Sequence, residues 1–367
     1  MRICLTYNSA AHYRKAIFLL IDKSFDCDYV FGKSLGDIKQ MDTSLLRGKV
    51  TKVDNKQWHG ICWQPKVVCM DVKPYDRFLM LGETKNLSTW LFCIRMRLFH
   101  PKKKVYFWSH GFYGKENRIE RFIKKILFKL PKGGTFLYGN YARDLMIKEG
   151  FNPEKLFVIH NSLDYDRQIE LRNKQKQIDI YKDHFNNNNP NIIFIGRLTP
   201  VKHLDLLINS IKILKERGII VNLTFVGDGS EKERLQELVH KLEIDNNVWF
   251  YGACYDEEKN AELIYNADLC VSPGNVGLTA MHTMVYGTPV ITHNDFSHQG
   301  PEFEAIHPGK NGDYFEYGDV SSLTEHIEKW LQEKRNKREE VRRECYKEID
   351  TSWTPQFQID ILKRHLA

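Results

Sequence analysis

NIIFIGRLTPVKHLDLLINSIKILKERGIIVNLTFVG, residues 191–227, is an apolar run, a glycine turn, an amphipathic stretch, another glycine and a second apolar run. NIIFIG is apolar at successive positions, as expected of a strand buried on both faces. LDLLINSIKILKERG (204–218) has helical apolar spacing and stops at Gly218. VNLTFVG (221–227) reads as the next strand. The pattern then repeats. SEKERLQELVHKLEI (230–244) reads as a helix with Ser230 as its N-cap. NVWFYG reads as strand, DEEKNAELIYNA as helix, DLCVSP as strand, GLTAMHTMVYG as helix and TPVITH as strand. Strict alternation predicts a parallel, doubly wound α/β sheet with right-handed crossovers. In such sheets ligands bind beyond the carboxyl ends of the strands.

The first half predicts a second α/β sheet. MRICLTY, KVVCMDV, RFLMLG, KVYFWSH, GGTFLYG and KLFVIHN read as strands, with helices AHYRKAIFLLIDK, TWLFCIRMRLF, NRIERFIKKILFKL and YARDLMIKEG between them. QIDIYKDHFNNNNPN (177–191) reads as the linker, since four asparagines and Pro190 sustain neither helix nor strand. The expected organisation is therefore a first domain over 1–176, a linker over 177–191, a second domain over 192–350, and a C-terminal helix over 351–367 that returns to the first domain. A chain of 367 residues suits two domains of this size.

The net charge of +7 conceals an asymmetry. Residues 1–165 hold 29 Lys and Arg against 15 Asp and Glu; residues 166–367 hold 25 against 32. A basic half suggests an anionic partner on that side. No recognisable nucleic-acid-binding module accompanies the charge, so nucleic acid is not the expected partner. No apolar run reaches the ~18–20 residues that span a bilayer. The N-terminus enters a strand-like run without a signal-peptide pattern. The eight cysteines form no CxxC pair. These features suit a reducing cytoplasm and argue against a disulfide framework or zinc site.

Three glycine turns follow strands in the second half. In GRLTPVKH (196–203), Gly196 permits a tight turn, Arg197 offers a planar fork for phosphate oxygens, and Lys202 adds a point charge near a helix start. GDGSEKE (227–233) opens with Gly227 but is a weak fingerprint alone. In SPGNVGLTAMH (272–282), the N–H groups of Gly277, Leu278 and Thr279 would open a helix and face an anion.

Taken in this order, the turns resemble family 4 of the GT-B glycosyltransferases. The resemblance covers about 130 residues, Asn191 to Gly318. It rests on Gly-Arg-Leu-Thr-Pro-x-Lys, Phe-Val-Gly-Asp-Gly, Val-x-Phe-x-Gly, Gly-Leu-Thr-Ala-x5-Tyr-Gly-Thr-Pro-Val-Ile, Pro301-Glu302 and Gly309-x-Asn311-Gly312. VIHNSLD (158–164) and WSHG (108–111) extend it more loosely into the first half. The resemblance implies two Rossmann-like domains facing across a cleft. It implies retaining transfer of a sugar from a nucleotide-diphosphate-sugar, with Arg197 and Lys202 on the diphosphate. Gly196, Gly227 and the backbone of Gly277, Leu278 and Thr279 would cradle the phosphates. The strand around Tyr251 would border the base, and His110 would lie near the donor sugar. The acceptor would attack on the leaving-group face, with a donor phosphate oxygen taking its proton.

One departure stands out. The family's Glu-x7-Glu pair falls here on Gly274 and His282. A carboxylate can accept two ribose hydroxyls, whereas a neutral imidazole accepts one hydrogen bond. His282 would take that role or turn to phosphate, and Asn275, Glu302 or Glu304 would hold a substrate hydroxyl. No metal or other cofactor is expected, because Arg, Lys and helix dipoles replace the metal in this fold. The Asp-x-Asp triplets at 26–28 and 164–166 read as structural.

The acceptor is expected on the basic half. His12, Tyr13 and Arg14, in the first β–α turn, are its candidate contacts. Ile119, Phe122, Ile123, Ile126, Leu127 and Leu130 share one helical face with basic residues around it. That face suits either core packing or an interfacial helix on anionic lipid. The leading reading is a cytoplasmic, peripherally membrane-bound transferase of surface polysaccharide synthesis, using a UDP- or GDP-sugar and a glycan or polyprenyl-linked acceptor. The alternatives are a nucleotide-sugar hydrolase or epimerase, for which no carboxylate motif is seen, and a non-catalytic glycan- or partner-binding subunit with a decayed donor site.

Overall fold

A computed structural model describes residues 1–33 and 39–366. The chain divides into two compact units: residues 1–165 together with the segment from Trp353 onward, and residues 166–352.

The first unit is built on seven parallel strands. They are β1 (Arg2–Tyr7), β2 (Asp26–Gly32), β3 (Val50–Val53), β6 (Arg77–Leu81), β7 (Lys104–Ser109), β8 (Gly134–Leu137) and β9 (Leu156–Val158), in the spatial order β3-β2-β1-β6-β7-β8-β9. A hairpin of β4 (Lys56–Trp58) and β5 (Ile61–Trp63) interrupts the series. His59 and Gly60 turn it with φ of 45° and 77°, the positive pair that matches strand twist. Both faces of the large sheet are buried. Ile3, Leu5, Trp108 and Phe136 pack into one core, and Cys4, Phe78, Phe107 and Leu137 into the other.

The second unit has six parallel strands: β10 (Asn191–Ile195), β11 (Asn222–Val226), β12 (Val248–Gly252), β13 (Leu269–Ser272), β14 (Val290–His293) and β15 (Gly312–Phe315). Their order is β12-β11-β10-β13-β14-β15. Renumbered within the unit this is 3-2-1-4-5-6, the dinucleotide-binding order, whose reversal between β10 and β13 opens a crevice at the strands' carboxyl ends. The doubly wound α/β expectation holds for both units.

Several local expectations do not. KVVCMDV is no strand: Pro65–Val68 is a helical turn, with proline at its first position. β2 begins on Asp26, whose charge hid an otherwise apolar strand. Asp28 is buried there, accepting from Arg2 at 2.9 Å, the Tyr75 hydroxyl at 2.8 Å and the Lys49 N–H at 3.0 Å. The triplet at 26–28 is thus structural. The supposed linker 177–191 lies inside the second unit. Ile180–Phe185 is a helix, and the buried Tyr181 donates to the Leu263 carbonyl at 2.8 Å. Asn186 ends it in the left-handed region, φ 53°, as asparagine can. The helix after Gly229 is Lys232–Lys241, capped without help from a side chain, so Ser230 is not its N-cap.

The final helix, Pro355–Leu366, packs on Lys15–Ser24 of the first unit. Buried Gln358 accepts from the Ser162 hydroxyl at 2.6 Å and donates to the His160 carbonyl at 2.7 Å. Those two bonds satisfy every heavy atom of a buried amide, which would otherwise be costly.

Candidate functional site

In the second unit, the turns after β10 and β13 lie side by side at the strand-order reversal. Gly227, after the neighbouring β11, comes so close that a Cβ would stand 1.9 Å from the Gly196 carbonyl oxygen. The Leu198 N–H donates to the Asp228 carbonyl at 2.9 Å, so the two turns are stitched by backbone. Gly274 is packed nearly as closely. Its N–H donates to the Lys202 carbonyl at 2.9 Å, and the Asn275 N–H to the Val201 carbonyl at 3.2 Å. A Cβ at 274 would stand 2.1 Å from the Val201 carbonyl oxygen. No side chain, and so no glutamate, fits here without backbone movement. Buried Gln299 was not singled out from sequence. It holds the same loop, accepting from the Val276 N–H at 2.8 Å while donating to Thr292 Oγ1 at 2.9 Å.

The helix Thr279–Met284 starts from this loop. Its N–H groups at Gly277, Leu278 and Thr279 have no carbonyl partner among the described residues. The Thr279 hydroxyl is occupied, donating to the Ile195 carbonyl at 2.9 Å, and thereby ties the helix start to the end of β10. Lys202 donates to the Asn275 carbonyl. Its ammonium is pushed down to about 8, chiefly by burial, with Arg197 adding to the effect and Glu302 opposing it. Arg197 is exposed. Two repelling cations and a row of free N–H groups thus converge, and an anion would relieve both.

Tyr251 sits at the end of edge strand β12, two strands from β10, or about 10 Å at the usual strand spacing. Between that edge and the phosphate turns lies a contact the sequence did not reveal. Glu257, at the start of the helix Glu257–Asn266, accepts from His282 Nε2 at 3.0 Å, the Tyr286 hydroxyl at 2.7 Å and Gln168 Nε2 at 3.1 Å. All three use Oε1. Although burial acts to raise it, His282 and the other donors hold the Glu257 carboxyl down to about 2. A carboxylate from the neighbouring helix therefore stands against the His282 ring. Only the general signal of acidic residues at a helix start could have pointed to Glu257. Asn275 is half-buried and donates to the His298 carbonyl at 3.2 Å; Glu302 is buried.

The remaining candidates lie in the first unit. His12 and Tyr13 are exposed, whereas Arg14 is buried. Arg14 meets His110 across a cavity of about 110 Å³, also lined by Tyr7, Tyr13, Tyr138 and Glu83. The His110 imidazole, 4.7 Å from the Tyr138 ring, is pushed down to about 4 by burial and by the charges of Arg14 and Lys124. It is neutral at physiological pH. His110 and Glu83 also border a second cavity of about 600 Å³, whose lining includes Lys85, Tyr113, Lys124 and Phe128. Burial raises the Glu83 carboxyl above its ordinary range. His12 lines neither cavity. Among the described residues no group of three or more His, Cys, Asp and Glu is arranged to hold a metal ion.

Residues 175–348, most of the second unit, match the model of the family of glycosyl transferases group 1. An uncharacterized 41.2 kDa protein from the cps region of Klebsiella pneumoniae is 26% identical over 215 residues, 57% of this chain and 55% of that protein. A GDP-mannose-dependent alpha-(1-6)-phosphatidylinositol dimannoside mannosyltransferase of Mycobacterium tuberculosis is 31% identical over 103 residues, 27% of this chain and 26% of that protein. The chain spans about half, or less, of the length of the curated relatives it matches. HepE from Anabaena, solved in complex with UDP, superposes with a TM-score of 0.73 over 99% of both chains at 17% identity. The fold is that of the GT-B glycosyltransferases.

Position 282 gives a direct test of the exchanged carboxylate. His282→Glu sets two carboxylates against each other and is expected to lower Tm by roughly 2–4 °C, the shift that about 1 kcal/mol gives in a domain this size. Adding Glu257→Gln should return most of it. A thermal melt in which the double variant is no better than the single one removes the pairing.

Proposed function

We propose that this chain, whose residues 175–348 form a glycosyl transferases group 1 domain within a GT-B fold, is a retaining transferase that moves a sugar from a UDP- or GDP-sugar to a glycan or lipid-linked acceptor. The observation that carries the reading is the crowding of positive groups at the β10–β13 crevice. The Lys202 ammonium is depressed by burial and by Arg197 and relieved chiefly by Glu302, and the nearby N–H groups of Gly277, Leu278 and Thr279 have no carbonyl partner among the described residues. A diphosphate supplies the opposing charge. Tyr251 borders the base, and the Glu257–His282 pair meets the ribose, with Glu257 Oε2 accepting a hydroxyl. In transfer, the bond from the anomeric carbon to the phosphate oxygen breaks as the acceptor oxygen bonds to that carbon on the same face. The acceptor's proton passes to the leaving phosphate oxygen. Arg197 and Lys202 stabilise the charge that develops there. His110 is neutral and serves as a hydrogen-bonding group near the transferred sugar.

The first unit supports the acceptor side. On Arg118–Phe128, Leu127 and Phe128 are buried, but Ile119 is 72% and Phe122 64% exposed. Leu98 and Phe99 are as exposed at the end of the adjacent helix Leu87–Phe99, and Arg97 joins the two helices by donating to the Lys129 carbonyl at 2.9 Å. Arg118 and Lys129, at the two ends of the helix Arg118–Phe128, and Lys102 and Lys104, soon after the helix Leu87–Phe99, are exposed. Such a patch suits docking on an anionic membrane, each cation contributing about 1 kcal/mol near the lipid surface. No helix among the described residues is long and apolar enough to cross a membrane. A relative named for action on a phosphatidylinositol dimannoside makes a lipid-borne acceptor reasonable.

The donor is tested by thermal stability against UDP, GDP, CDP and ADP. A ligand at a hundredfold excess over Kd stabilises by about 2.7 kcal/mol. One selective shift is expected, and Arg197→Ala, by weakening binding about 1.5–3 kcal/mol, should remove at least half of it at the same ligand concentration; no shift with any nucleotide favours a non-catalytic binding subunit.

Lys202 sets the pH profile. It is cationic below about 8 and neutral above, so diphosphate affinity should fall as pH rises through 8. In Lys202→Met that fall should disappear. A wild-type affinity flat from pH 7 to 9.5 would remove Lys202 from the diphosphate.

Vesicle sedimentation tests the surface. Phe122→Ser with Phe99→Ser should release the chain from vesicles of phosphatidylglycerol and phosphatidylcholine, and neutral vesicles should bind it weakly from the start. Equal binding by wild type and double variant would overturn the docking face.

A further inference from the structure

A buried arginine without a counter-charge lies under the first β–α turn of the first unit. Arg14 is 6% exposed. Its guanidinium carbon stands 4.9 Å from the ring centre of Tyr7, 5.2 Å from Tyr138, 5.3 Å from Trp108 and 5.6 Å from Tyr13. Nη2 donates to the Tyr138 hydroxyl, which shares a 2.9 Å hydrogen bond with the Tyr7 hydroxyl. Among the described residues Nη1 has no partner, and neither has Nδ1 of His110 on the same cavity. Aromatic faces return about 0.5–2 kcal/mol each to a cation, well short of the cost of burying an unpaired charge. A carboxylate would be the ordinary remedy, and Arg14 forms no ion pair with one among the described residues. Among the described residues nothing pairs with that charge, and an anionic ligand would supply the partner.

The cavity has the room. At ~30 Å³ per water in liquid, 110 Å³ holds three to four waters, or one small oxyanion group. We infer that this cavity is a subsite for an anionic group, a carboxylate or a phosphate ester, carried by the acceptor. Arg14 Nη1 donates to one anionic oxygen, and an N–H of His110 to another. The anion completes the coordination of the guanidinium and fixes the acceptor beside His110. Glu83 lines the same cavity and opposes the ligand by its own charge, so the subsite selects against a second anion close by. The word acceptor rests on the function proposed above; the anion site itself rests on Arg14 and the cavity.

Isothermal titration of the full chain with glucuronate and with glycerol 1-phosphate, against glucose and glycerol, tests this. Titrations run with and without saturating UDP or GDP. The anionic probes are expected to bind at least tenfold more tightly than the neutral ones, with or without nucleotide. Arg14→Lys, which loses the planar fork, should weaken them tenfold or more. Glu83→Gln should strengthen them about threefold, and neither change should alter nucleotide affinity. Displacement of the probes by the nucleotide would overturn the inference by making the donor's diphosphate the occupant. Equal affinity for charged and neutral probes would also overturn it. Should Arg14→Lys fail to fold, Glu83→Gln decides: unchanged anion affinity sinks the subsite. Failure of every nucleotide to bind would instead strike the donor reading and leave the anion measurement standing.

Discussion

Backbone contact between neighbouring turns is the constraint on which the second unit's site depends. Gly227 presses on the Gly196 carbonyl, and Gly274 on Val201 and Lys202, at distances that exclude any Cβ. Those contacts bring Arg197, Lys202 and the start of Thr279–Met284 into one crevice. The charge then follows from crowding. Lys202 is buried beside another cation, so its ammonium is less stable than in water. Cations held at such a cost are preorganised, because the fold and not a ligand brings them together.

Much of this was legible in the sequence, for identifiable reasons. The second unit's central strands are buried on both faces, and helices such as Leu204–Glu216 are long and amphipathic, so the period switches cleanly at the glycines between them. The first unit is harder because its signals are mixed. β2 carries two aspartates, one of them buried among Arg2, Tyr75 and a backbone N–H, and charge at a strand start reads as loop. KVVCMDV has strand composition, yet it is too short of partners: the sheet already runs from β1 to β6, and Pro65 starts a turn of helix instead. The asparagine run at 186–189 does break structure, but it follows a helix fixed to the second unit by Tyr181. A composition shift marks a loop, and only tertiary contact says to which side it belongs.

The charge asymmetry has a comparable explanation. Part of the basic content of residues 1–165 serves internal pairing, as in Arg47–Asp22 and Lys124–Glu116, while Arg118, Lys102 and Lys104 stay exposed. Helical periodicity in Arg118–Phe128 was consistent with a core or an interface, and the structure uses it for both. Leu127 and Phe128 enter the core at one end, and Ile119 and Phe122 remain outside at the other. Exposed apolar patches of this kind are characteristic of interaction surfaces.

The two departures from the family pattern are of different kinds. At Gly274 the carboxylate is excluded by geometry: the loop has closed on the turn before it, and the space a side chain needs is filled by the Val201 carbonyl. At His282 a carboxylate stands against the ring. Glu257 meets the histidine from the adjoining helix and is held ionised by His282, Tyr286 and Gln168 through a single oxygen. A decayed site would lose its charges in no particular order. Here backbone contacts occupy the space of one side chain, and a carboxylate from the adjoining helix pairs with the histidine that stands at the other position, so both changes are tied into ordered local structure.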